Sequence, residues 1–164
     1  MLLLTVSVSA QSPEEKLSAM GVTLPDPTTP LASYVNAVRA GNLLFLAGKG
    51  PTDAEGKAIT GKVGQDLTTA EANQAARSVA INHIAVLKAE LGDLSRVRRI
   101  VKVLGMVNSV PGYTEHSKVM NGYSDVMVEV FGEKGKHARS SVGMASLPFN
   151  IVVEVEAIVE LEDE

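Results

Sequence analysis

The chain has no cysteine, which excludes disulfides, thiol catalysis and zinc sites built from thiolates. It has no tryptophan, and aromatic residues amount to only 4%, a thin supply for nucleic-acid chemistry. Positive charge is also short. Fifteen Lys and Arg against 19 Asp and Glu give a net charge of −4, opposite to the basic footprint of a nucleic-acid binder. The three histidines, His83, His116 and His137, show no metal-ligand spacing, so no metal is expected.

Long hydrophobic runs are missing too. The opening MLLLTVSVSA carries no charged side chain but is too short to span a bilayer as a helix. It lacks the basic start of a secretion signal, yet Val8-Ser9-Ala10 before Gln11 resembles a small-residue cleavage site. The stretch reads either as a loosely ordered tail or as the remnant of a signal peptide. The cytoplasm is the expected compartment, and the periplasm the alternative.

What is present is an ordinary globular composition, with 45% hydrophobic and 21% charged residues over 164 positions. That length fits one domain with a sizeable core. Ser12-Pro13-Glu14-Glu15 has the capping serine, the N1 proline and the acids of a helix start. A short helix should follow with Leu17 and Met20 inward, then a proline-bearing linker. Residues 1–29 are therefore set apart as tail, helix and linker from a main domain over 30–164.

Within that domain, 34–38 and 43–47 read as strands around a turn at Gly41-Asn42. Thr68-Thr69-Ala70-Glu71 is a capping box that opens the strongest helix, closed by Gly92. His83 on that helix reads as solvated or structural. Residues 97–107 read as a strand apolar on both faces, and Arg96, Arg98, Arg99 and Lys102 as a solvated cluster partnered by Glu90 and Asp93. A second helix is expected over 114–131. The order of elements implies an α+β domain, a mixed sheet with two helices packed on one face. The other face is too apolar to stay wet, which points to self-association.

The C-terminal stretch HARSSVGMASLPFNIVVEVEAIVEL organises the chain. Val153, Val155, Ala157, Val159 and Leu161 share one strand face, and Glu154, Glu156, Ile158 and Glu160 the other. If the last two strands pair as a hairpin about Pro148 and Phe149, Gly143 stands opposite Glu154 and Arg139 opposite Ile158. Arg139 and Glu154 would then lie on the order of 13 Å apart. A substrate would have to bridge them, or they would converge from different subunits.

Arg139-Ser140-x-Val142, then Leu147-Pro148, then Val153-Glu154, Glu156 and Ala157 resemble the end of the YjgF/RidA family of reactive-intermediate deaminases. Upstream, Gly41-Asn42 and Phe45-Leu46-Ala47-Gly48 resemble its opening strands, and the resemblance covers roughly residues 30–161. It implies a chorismate-mutase-like fold and a homotrimer with ligand clefts between subunits. The activity it implies is hydrolysis of 2-imino acids to 2-keto acids and ammonia, with no cofactor.

The same resemblance assigns roles. Arg139 would anchor the substrate carboxylate through its planar fork of donors; from the residues alone, an inter-strand or inter-subunit salt bridge is the favoured reading. Glu154 would position water and shuttle protons, with burial raising its pKa and Arg139 lowering it. Tyr34 and Asn121 match cleft positions, and Ser141 stands where the family often has cysteine. Lys49 departs from an expected glutamine, and Gly143-Met144 from bulkier residues, so the pocket should differ. The alternative is a non-catalytic trimer that binds small carboxylate metabolites. Ribonuclease activity, a label of some relatives, is opposed by the acidic charge and the lack of paired catalytic histidines. No membrane or nucleic-acid partner is expected.

Overall fold

The computed structural model describes residues 11–30 and 32–163; the expectation for the first ten residues lies outside them. Helix α1, Pro13–Ala19, starts as its sequence dictates. The Ser12 hydroxyl accepts from the Glu15 amide while the Glu15 carboxylate accepts from the Ser12 amide. Leu17 enters the core, and Glu14 receives hydrogen bonds from Lys88 Nζ (2.8 Å) and the Leu94 amide (3.0 Å).

Strands β1, Ala37–Ala40, and β2, Leu43–Lys49, form an antiparallel hairpin. The first begins later than its sequence suggests, so Tyr34 precedes the strand and is exposed. Helix α2, Thr69–Leu91, opens on the Thr68/Glu71 capping box, an arrangement in which the cap alone is worth about 1 kcal/mol. It stops at Gly92, whose φ of 73° suits glycine. Strand β3, Val97–Asn108, helix α3, His116–Phe131, strand β4, Ala138–Met144, and strand β5, Val153–Leu161, complete the chain.

The sheet runs β1-β2-β5-β3-β4, with β3 and β4 parallel and all other pairs antiparallel. This overturns the expected β4–β5 hairpin. Helix α3 connects β3 to β4 as a parallel crossover, so β3 occupies the place between β4 and β5. The chain after β4 must therefore cross the end of β3, and it does so through a turn with φ of 53° at Phe149 and 57° at Asn150. Buried Asn108 secures that crossing. Its Nδ2 donates to Asn150 Oδ1 (2.9 Å), Gly61 O (3.1 Å) and Ile151 O (3.3 Å), while its Oδ1 accepts from Lys62. A buried amide this well satisfied costs little and fixes the connection.

Helices α1, α2 and α3 lie with the core on one side of the sheet, α1 packing against α3. Val103, Val107, Val153, Val155, Ala157 and Val159 face them and are buried. On α2, His83 is fully buried between α3 and β2. Its Nε2 meets the Ala47 carbonyl (3.2 Å), which can only accept, so Nε2 carries the proton and Nδ1 accepts from the Tyr123 hydroxyl (2.8 Å). Burial pushes its pKa down to about 4. The histidine is structural.

The opposite face has no helix over it among the described residues. Lys102, Leu104 and Met106 of β3 are half-buried there rather than sealed, and Val38, Phe45 and Val142 are exposed. Arg98 and Arg99 approach Glu160 across the sheet, at 3.8 and 3.9 Å.

Candidate functional site

Arg139 sits on β4 in register with Val103, which is in turn in register with Ala157. Both neighbours are buried beneath the helices, so Arg139 leaves the sheet on the helix side. There its Nη1 donates to Ser124 Oγ (2.8 Å), and Nη2 donates to Asn121 Oδ1 (3.0 Å) and the Ser117 carbonyl (3.3 Å). All three acceptors belong to α3 and are neutral. Partial burial lowers the guanidinium pKa, opposed by the charge of Asp125, but an arginine stays protonated at any useful pH.

The network continues beyond Ser124. Having accepted from Arg139, its hydroxyl donates to His137 Nε2 (2.9 Å), whose Nδ1 donates to the Gly135 carbonyl (2.7 Å). That chain fixes His137 as the neutral Nδ1–H tautomer. Burial lowers its pKa and Arg139 lowers it further, against the Gly135 hydrogen bond. Ser124, Val128, His137 and Arg139 border a cleft of ≈390 Å³.

Two residues along β4, Ser141 pairs with Gly105 on the same helix-facing side. Its Oγ is buried and has no hydrogen-bond partner. Leaving a hydroxyl unsatisfied costs about 1–3 kcal/mol, so the position is polar at a penalty to the fold.

Glu154 is elsewhere. It pairs with Met106, which pairs with Val142, and it projects from the uncovered face. Its carboxylate lies against Gly48 so closely that a Cβ there would overlap Oε1. A side chain at 48 would push that carboxylate aside. Burial, then the like charge of Glu156, raises the Glu154 pKa; the lowering by Arg139 expected from the sequence is absent from its surroundings. Next to Gly48, Lys49 donates to Asn36 Oδ1 (2.6 Å) and Thr28 Oγ1 (3.2 Å), and burial lowers its pKa. This lysine holds the N-terminal linker to the strand that carries Gly48.

The fold thus brings Arg139, Asn121 and Ser141 to one side of the sheet. Glu154 lies on the other side, and Tyr34, 54% exposed, precedes the strand at the far edge. Two strands and three residues separate Arg139 from Glu154, on the order of 14 Å between backbones. Ser124 and His137 were missed from the sequence. The signal was there: Ser117, Asn121 and Ser124 fall on one helical face at i, i+4 and i+7. Among the described residues, no group of three His, Asp or Glu could hold a metal ion. No helix among them is long and apolar enough to cross a membrane.

Comparison with known proteins identifies the family and the fold. The family model described as "YjgF/chorismate_mutase-like, putative endoribonuclease" matches residues 14–161. Protein TCP17 of Trypanosoma cruzi is 45% identical over 148 residues, covering 90% of this chain and 92% of that protein. A 2-iminobutanoate/2-iminopropanoate deaminase of Dermatophagoides farinae is 30% identical over 134 residues, covering 81% and 89%. The crystal structure of Atu1372 from Agrobacterium tumefaciens, a protein with unknown function, superposes with a TM-score of 0.84 at 46% identity. It covers 92% of this chain and 94% of its own.

Proposed function

The chain belongs to the YjgF/chorismate-mutase-like family, and on that premise we propose that it hydrolyses 2-imino acids to 2-keto acids and ammonia in clefts between subunits. The observation that carries this reading is the Arg139 guanidinium. It is oriented by three neutral acceptors beside an open cleft, so its positive charge is left for a substrate carboxylate. Kinship with the Dermatophagoides farinae deaminase supports the same chemistry.

The reaction needs water to attack the C=N carbon, and a proton for the departing amine. Glu154, its carboxyl pKa raised by burial, is suited to take a proton from water and return it. It acts in the cleft of a neighbouring subunit, because its own Arg139 lies across the sheet. The uncovered face, with Val38, Phe45 and Val142 exposed, supplies the surface on which subunits associate, as a trimer in this reading. Asn121 positions Arg139. Ser141, its Oγ buried, contributes through its backbone amide in this reading, and Tyr34 walls the cleft from the adjoining subunit. No cofactor takes part in this scheme.

The decisive test is ammonia release from imines generated in situ by an amino-acid oxidase, with wild type and Glu154→Gln compared. Release that disappears in a folded Glu154→Gln protein supports the deaminase. No release by wild type, accompanied by saturable binding of 2-keto acids, would instead identify a non-catalytic binding protein for small carboxylates.

A further inference from the structure

Apart from the Arg139 cleft, a second cavity of ≈620 Å³ opens where β3 and the parallel β4 both end. That volume falls in the range of small-ligand pockets, about 300–1,000 Å³. Three polar side chains of complementary chemistry meet there: Lys62, Ser109 and His116. We propose that this cavity is a binding site for a small monocarboxylate carried on a short apolar body. The proposal stands on the cavity alone and does not depend on the deaminase reading.

Lys62 supplies the charge. Its Nζ donates to Asn108 Oδ1 (2.7 Å) and to the Ala145 carbonyl (2.8 Å). Both partners are neutral, so two of its three protons are spent on fixing the ammonium in place while its charge stays uncompensated. No acidic side chain lines the cavity. Glu115, beside His116 in sequence, is engaged by Lys118 and by the Thr69 hydroxyl (2.9 Å).

Ser109 and His116 supply a directional donor. The serine is 7% exposed, and its Oγ lies 3.3 Å from His116 Nε2. If the hydroxyl donates to Nε2, the neutral ring carries its proton on Nδ1. If Nε2 donates to the hydroxyl, the serine proton is free. Either way the pair retains one donor for a ligand. The remaining lining, with Val110, Pro111, Met144 and the Tyr113 ring, is largely apolar. One cation, one hydroxyl–imidazole pair and an apolar wall match a monocarboxylate with a short tail better than a bare polyanion.

Gly143 connects this cavity with the sequence. It departs from the bulkier residues that the resemblance leads one to expect. A Cβ at 143 would overlap His116 Nε2 and come within 3.1 Å of Ser109 Oγ. The missing side chain is what admits the Ser109–His116 pair beside β4.

Met144 lines the cavity, so its methyl group reports on occupancy by methionine-methyl NMR of the full chain. Butyrate is the carboxylate probe and inorganic phosphate the bare oxyanion. A saturable shift of the Met144 methyl with butyrate is expected, persisting in Arg139→Ala and at least tenfold weaker in Lys62→Met. Should Lys62→Met fail to fold, because it also loses the contacts to Asn108 and Ala145, His116→Phe takes its place with the same expected loss. No shift with butyrate, a shift with phosphate alone, or butyrate binding that Arg139→Ala abolishes would each overturn the assignment. Ammonia release, measured separately on the same variants, reads the other site.

Discussion

Arg139 and Glu154 project from opposite faces of the same sheet. Arg139 shares a row with Val103 and Ala157 under the helices, whereas Glu154 shares a row with Met106 and Val142 on the uncovered side. Residues 154 and 157 are an odd number apart, so the strand period of two assigns them to different faces. No side-chain rotation reverses that within one chain.

Complementation between two inactive variants follows from this arrangement. Arg139→Ala and Glu154→Gln should each be inactive alone, yet co-refolded mixtures should regain about a quarter of wild-type ammonia release. That figure is the random share of clefts that receive both native residues across an interface between identical subunits. Mixtures shown by mass spectrometry to have exchanged subunits, but still inactive, would place both residues in a single-chain site.

Gly48→Ala should disable Glu154 without touching it chemically. The added methyl would overlap the carboxylate, which swings aside as the free end of a flexible side chain. Ammonia release reduced at least tenfold, with little change in Tm, is expected. Full activity in Gly48→Ala would show that the position of Glu154 against Gly48 is irrelevant to turnover.

Glu154 also sets a pH dependence of stability. Its folded pKa is raised above the ordinary 4.5, so the folded state holds its proton more tightly than the unfolded chain. Its contribution is fully present below pH 4.5 and is lost as pH rises through the folded pKa. Glu154→Gln should therefore melt higher than wild type at pH 8, the gap closing by about pH 4. Thermal melts across that range decide it, and a Tm gap independent of pH would contradict the assignment.

His83 works in the opposite sense. Its pKa falls from 6.5 to about 4 on burial, so the unfolded chain takes up a proton that the fold resists. The stability this histidine lends is present above pH 6.5 and lost as pH falls toward 4. Urea unfolding should show declining stability across that window, and the decline should flatten in His83→Gln. An unchanged slope in the variant would assign the acid sensitivity to other groups.

Local signals made much of the chain legible in advance. The capping boxes at Ser12 and Thr68 need only residues three apart, so α1 and α2 began where their sequences said. The alternation from Val153 to Leu161 separated the buried from the open side of β5 correctly, but left open whether Glu154 faced water. Arg139 and Asn121, named separately, turned out to be hydrogen-bonded, and the polar stripe of α3 that holds them was readable at helical spacing.

Strand neighbours were another matter. A run ending in Leu147-Pro148-Phe149-Asn150 looks like a hairpin turn because turn chemistry is local, while pairing is decided by which strand offers the better-covered ladder. Here α3 returned the chain parallel to β3, and Asn108 held the crossing segment over the end of that strand. Only tertiary structure could then decide that Arg139 and Glu154 face away from each other, and that Gly143 leaves room for His116. The sequence determined which residues carry chemistry, through their side-chain types and periodicity. Their meeting or separation depended on contacts between segments far apart in the chain, which no local pattern encodes.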